Sequence, residues 1–227
     1  MRFNPAFVDG SKAVSPLLIG VVPFGLVFGV VAADSVIGAG LAYATSLVIF
    51  AGAAQLATVQ LLDEGVVGVV IITTALIINS RHLMYSATLA PHFQQFPRWT
   101  RFALPYVLTD QAFAVSIVRY EDMTDPVYKR WFFTGSAVTM WSTWQLSTLA
   151  GVLVGAQLPE AWSLEFAIPL VFLALLVVTV KTRPELVAAI FGGAVAVLAA
   201  PAPYGLGLMI GALSGVAAGV AAHRVLR

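Results

Sequence analysis

Two short stretches hold most of the side chains that can do chemistry: NSRHLMYS at 79–86 and TDQ at 109–111. Both sit in strongly apolar surroundings. Burying one ionisable group near the centre of a bilayer costs at least about 2.5–3.5 kcal/mol, so a membrane sequence that keeps several must compensate them. At helical spacing Arg81 and Tyr85 share a face, and Asn79 approaches His82 three residues on. Asp110 falls in the middle of the apolar run 102–118. Its expected partner is Arg81 or His82, because a lone carboxylate in hydrocarbon takes up a proton instead. Such a group can clamp a carboxylate, hold an ammonium and relay a proton, histidine being the side chain that titrates most readily near neutral pH. The plainer reading makes Asp110 a structural ion-pair partner and lets Arg81 reach an interface along its aliphatic stem.

Other features bear on how the backbone runs. Pro23-Phe24-Gly25 lies at the centre of the first apolar run, where proline removes a backbone hydrogen bond and glycine relaxes the turn. Phe50-Ala51-Gly52-Ala53-Ala54-Gln55 places small residues beside a buried amide. A helix broken at such points exposes amides and carbonyls that suit the two ends of an amino acid, which makes Pro23, Gly25, Gln55 and Asn79 candidate substrate contacts. Gln55 and Asn79 have an alternative use, bonding across a helix interface. Pro169, within EFAIPLVF, is the candidate counterpart of Pro23. Trp141 and Trp144 are expected to anchor at headgroup level. Gly207-x-x-x-Gly211 and Gly211-x-x-x-Gly215 support close helix packing, internal or with a partner.

The elements that must position these residues follow from composition. Of 227 residues 59% are hydrophobic and 10% charged, with mean hydropathy +0.91; a soluble domain carries about 25% charged residues. A net charge of +1 gives no basic face for nucleic acid. The chain has no cysteine, which excludes disulfides, thiolate metal sites and a Cys nucleophile. No HExxH, GxSxG, Walker or GxGxxG motif occurs, and the three histidines form no ligand spacing with carboxylates, so neither a metal site, a cofactor nor an enzyme is expected. Measured against about 20 apolar residues per crossing, the chain divides into about eight hydrophobic helical segments: 14–33, 41–62, 66–90, 102–118, 131–155, 166–180, 185–200 and 204–222. The expectation is an all-α polytopic membrane protein, residues 1–227 forming a single transmembrane transporter domain. With eight crossings and a cytoplasmic N-terminus, the inner side holds Arg2, Lys12, Arg119, Lys129, Arg130, Lys181, Arg183, Arg224 and Arg227, and the outer loops hold Arg98 and Arg101. If segments two and four are broken or re-entrant, all the basic loops return to one side.

FAGAAQL (50–56), NSRHLMYSATLAP (79–91), LTDQAFA (108–114) and EFAIPLVFLALL (165–176) together resemble the AzlC family, from about Gly20 to the C-terminus. RH-x-x-Y-S followed by TD-x-x-FA is the specific part of the likeness. What the resemblance implies is the large subunit of a branched-chain amino-acid exporter in the cytoplasmic membrane, working with a small AzlD-like membrane subunit on leucine, isoleucine, valine and sometimes methionine. The residue roles are read from the sequence itself: Arg81 for the carboxylate, with Pro23, Gly25, Gln55, Asn79, Tyr85 and Pro169 as further contacts, and His82 or Asp110 for a coupling proton. A homo-oligomer is compatible with the sequence. The alternatives are a passive channel for small solutes and an intramembrane enzyme.

Overall fold

The computed structural model describes residues 4–155, 180–202 and 206–225, with Leu173 and Leu176; segment six and Pro169 lie outside the described residues. All regular structure among the described residues is helical. Two compact units emerge, one built from Met1–Leu56 and Leu76–Pro159, the other from Ala57–Ala75 and Glu160–Arg227.

In the first unit, α1 (Pro5–Val14) starts where the Asn4 side chain accepts from the Ala6 amide and Pro5 presets the first turn. It continues through a 3-10 turn into α2 (Leu18–Asp34), and Pro5–Asp34 is long and apolar enough to cross a membrane. The second segment is two helices, α3 (Gly38–Val48) and α4 (Gly52–Asp63), separated at Phe50, whose φ of 42° is a left-handed conformation. That costs a bulky residue about 1–2 kcal/mol, and the ring is held by burial and by contact with Tyr106 at 6.4 Å between centroids. The third segment is α5 (Gly68–Asn79) and α6 (Arg81–Phe93), bent by 41° at Ser80; taken together they are also long enough to cross. The fourth is a short α7 (Arg98–Ala103), a 3-10 turn Leu104–Val107, an extended Leu108–Thr109 and α8 (Asp110–Glu121). The longest helix, α9 (Pro126–Gly155), is capped by the Asp125 carboxylate, which accepts from the Val127 and Tyr128 amides.

Helix α9 is the wall on which the unit is built. Glycines let α1 and α2 lie directly on its backbone. An added Cβ at Gly135 would fall 2.0 Å from the Phe7 carbonyl oxygen, and one at Gly29 would fall 2.2 Å from that of Thr148. On another side Leu89, Phe93, Phe96, Leu104, Leu108 and Ala112 pack with Phe132, Phe133 and Ala137 in one buried cluster.

The second unit takes most of α4 and the first part of α5, within Ala57–Ala75. In it α10 (Arg183–Leu198) opens with a Thr182–Glu185 capping box and packs on α11 (Leu206–Val225), which is long and apolar enough to cross a membrane. The glycine repeat serves this internal contact: a Cβ at Gly192 would lie 3.0 Å from the Gly215 Cα and 3.1 Å from the Gly211 oxygen.

Candidate functional site

Arg81 is the first residue of α6 and Asp110 the first of α8. The Arg81 Nη1 donates to the Asp110 Oδ2 at 2.8 Å, and the two side chains keep 38% and 36% of their surface exposed, so the pair is reachable rather than sealed in the core. Asp110 does not sit mid-helix, as its place in an apolar run suggested. The extended Leu108–Thr109 breaks the segment, and the Thr109 hydroxyl caps α8 by accepting from the Ala112 amide. The broken end leaves the α8 dipole uncancelled, and a carboxylate in a first turn gains about 0.3–1 kcal/mol from it. α6 follows α5 through only a 41° bend, so the carbonyl end of α5 offsets the dipole beside Arg81.

Around the pair stand three more of the residues singled out above. The Tyr85 ring stacks on Phe113 at 4.4 Å, with its hydroxyl within electrostatic reach of Asp110 and Arg81. His82 meets the Tyr85 ring edge-on at 5.7 Å, and its Nδ1 lies 3.2 Å from the Asn79 carbonyl oxygen. Three buried atoms have no hydrogen-bond partner within the protein: Asn79 Oδ1, Arg81 Nε and Asp110 Oδ1. One unused donor and one unused acceptor thus belong to the ion pair itself, and Asn79, with the other unused acceptor, comes two residues before Arg81. Such atoms are costly to leave unmade, and together they match the polar ends of a zwitterion.

Ring contacts fix the depth of this site. Tyr85 meets Phe113 near the starts of α6 and α8, and His92 meets Tyr120 at 4.9 Å near their ends, so the two helices run parallel. Beyond them the buried Lys129 has its Nζ 3.2 Å from the His92 Nδ1 and 5.2 Å from the Tyr120 ring centre. The turn at 95–97 borders a small cavity with Pro126, Val127 and Arg130. The loops at 94–101 and 122–130 therefore share one end. Between them the chain goes in and comes back: Tyr106 accepts from the Trp141 indole at 3.4 Å and donates to the Leu47 carbonyl. Trp141 is twelve residues beyond Lys129 in α9, about 18 Å along the axis. The fourth segment is broken rather than one straight helix, and its tip meets the break of segment two. Arg98 and Arg101 lie at the end that also holds Arg119, Lys129 and Arg130, the arrangement expected of a broken or re-entrant segment four. Asp110 and Arg81 lie about 15–18 Å from that end by the lengths of α8 and α6.

Other expectations are corrected. Pro23 does not break its helix: α2 is continuous, Pro23 is exposed, and Gly25 is buried where a Cβ would meet the Ser147 hydroxyl at 2.2 Å. Gln55 is fully buried and engaged at both ends, its Oε1 accepting from the Ala51 amide and its Nε2 donating to the Thr45 and Ser46 hydroxyls. It braces the break of segment two and does not join the ion pair. Replacing Gln55 with leucine should cost about 1–3 kcal/mol in thermal unfolding, since it orphans the buried Ala51 amide. An unchanged unfolding midpoint would show that Gln55 braces nothing. Trp144 is no interfacial anchor: it is buried, stacks on Phe28 at 5.7 Å and donates to the Ser46 hydroxyl. Sequence reasoning passed over Ser46 and Tyr106, whose only signal was a polar group beside a break.

Fold and site define an all-helical polytopic membrane protein in which the ends of broken helices carry a charge pair. The chain belongs to the AzlC family, whose model, described as AzlC protein, matches residues 16–158. An uncharacterized membrane protein of Archaeoglobus fulgidus is 33% identical over 186 residues, covering 80% of this chain and 78% of that one. The inner membrane protein YgaZ of Escherichia coli K12 is 24% identical, covering 81% and 77%, and an uncharacterized membrane protein of Helicobacter pylori is 26% identical, covering 77% and 75%. No solved structure matches the chain.

Proposed function

We propose that this protein is a proton-coupled secondary transporter that exports branched-chain amino acids across the cytoplasmic membrane together with a small AzlD-like subunit. Residues 1–227 act as one transporter domain with the N-terminus inside. The orientation rests on the basic residues gathered at one end of the first unit, since positive segments stay cytoplasmic. The observation that carries the reading is the partly exposed Arg81–Asp110 pair, whose own Nε and Oδ1 have no hydrogen-bond partner.

In this mechanism the substrate competes with the ion pair. Its carboxylate takes the Arg81 guanidinium, which presents Nε beside the terminal nitrogens for two-pronged binding. Its ammonium takes Asp110 Oδ1 and Asn79 Oδ1. Tyr85 and His82 border the cage. A proton arriving on Asp110, by way of His82 or directly, neutralises the carboxylate, weakens its hold on the ammonium and on Arg81, and lets the substrate leave on the other side. The aliphatic side chain asks only for apolar contact, which the surrounding helices supply in excess.

The test is leucine accumulation in inside-out vesicles holding the chain with its small subunit under an imposed proton gradient. Asp110→Asn should exchange leucine down its gradient and fail to concentrate it. Arg81→Lys should raise the Michaelis constant about tenfold, one charge-assisted hydrogen bond being worth about 1.5–3 kcal/mol. An Asp110→Asn protein that still concentrates leucine removes the proton role, and an unchanged constant for Arg81→Lys reduces that residue to a structural partner. Flux that never saturates would identify a channel.

A further inference from the structure

Within the first unit a cleft of about 780 Å³ opens between α1, with its following 3-10 turn, and α8. Its mouth carries Asp9, Lys12, Arg119 and Asp122, two charges of each sign. These lie at the end shared by the basic loops: the Tyr128 hydroxyl donates to Asp9 Oδ2 at 3.0 Å and accepts from Arg119 Nη2 at 3.3 Å. The cleft is open along its sides: its walls are the exposed aliphatic Leu17, Ala114 and Val118, and the buried Phe132 of α9 closes the floor. Ala114 is the innermost α8 residue of the cleft, and Asp110 precedes it by one helical turn, at the spacing that stacks two side chains on one helix face.

We propose that this cleft is the cytoplasmic entry site for an amino acid with an aliphatic side chain, leading along α8 to the Arg81–Asp110 pair. The inference rests on the transport reading above and adds the route. Balanced charge at the mouth suits a zwitterion and repels neither of its ends. A net cationic or anionic amino acid meets one pair of like charges with nothing in excess to offset it. The aliphatic walls favour leucine, isoleucine and valine over polar side chains, which would lose water without finding partners. The other occupant such a groove can take is a phospholipid acyl chain, and the two differ in whether water enters.

Because the chain has no cysteine, single thiols report cleanly. Ala114→Cys and Val118→Cys in the full chain, with Leu146→Cys on an exposed apolar face of α9 as the reference, are exposed in inside-out vesicles to a cationic, membrane-impermeant methanethiosulfonate. Labelling after denaturation counts the thiols present. Both cleft thiols should react about tenfold faster than the reference, because only a hydrated thiol forms the reactive thiolate. Millimolar leucine should slow modification of Ala114→Cys severalfold, and glutamate should not. Equal, slow reaction at all three positions means the cleft is filled by lipid or protein and overturns the proposal; fast reaction without leucine protection overturns it too. Leucine transport measured on the same vesicles separates the two claims. Transport with unreactive thiols sinks the route alone, and reactive thiols without leucine transport sink the transport reading.

Discussion

Arg81→Ala is expected to abolish leucine export and to destabilise the protein, while Arg81→Ala/Asp110→Ala regains the stability and none of the transport. The single change strands the Asp110 carboxylate, 2.8 Å from where its partner stood. Breaking a fully buried pair costs about 3–5 kcal/mol. Here more than a third of each side chain is exposed and the α8 dipole favours the carboxylate, so about 1–3 kcal/mol is the better figure. For a chain of this length that is a fall of about 2–10 °C in the unfolding midpoint. Removing both charges removes the unpaired one, so the midpoint should return to within about 2 °C of wild type. A double variant as unstable as the single one would mean that Arg81 stabilises through packing of its stem and not through the pair.

The second large effect is at the α2–α9 contact. A Cβ at Gly29 would lie 2.2 Å from the Thr148 carbonyl oxygen, 2.7 Å from the Val152 nitrogen and 2.8 Å from the Gly151 Cα, all backbone atoms with no rotamer to yield. Overpacking a core costs about 1–3 kcal/mol even where side chains can move, so Gly29→Val should give no monodisperse protein in detergent, and Gly29→Ala a midpoint lower by several degrees. Gly20, in the same helix, has nothing within 4 Å of an added Cβ. Gly20→Ala should be neutral or stabilising by up to about 1 kcal/mol, because alanine loses less entropy than glycine in a helix. Equal behaviour of the two alanine variants, read by size exclusion and thermal unfolding, would show that the helices can separate at no cost.

What the sequence allowed and what it hid divide along physical lines. The meeting of Arg81 with Asp110 was legible because charge in oil demands a partner and candidates were few. The helical class was legible from continuous apolar runs, and the extra basic loop at 98–101 hinted that segment four is broken. The break in segment two was legible in the small residues 51–54, but not its hinge: no proline marks it, and a phenylalanine at positive φ is held there by Tyr106, more than fifty residues away. Pro23 misled in the opposite direction. Its missing amide marks a possible break, yet the helix runs on, because packing of Gly25 and Gly29 against α9 outweighs one lost hydrogen bond. Gln55 and Trp144 read as a ligand and an anchor because their type alone cannot tell a buried brace from an open contact. Both converge on Ser46, which only the fold reveals.

The broken fourth segment also imposes a chronology on folding. Neither of its arms, Arg98–Ala103 or Asp110–Glu121, has the about 20 residues of a crossing. The surface against which it beds, Phe132, Phe133 and Ala137, belongs to a helix synthesised afterwards. Residues 98–121 can finish packing only once 126–155 has been made, so the part of the chain that carries Asp110 takes its place after the wall made later than itself.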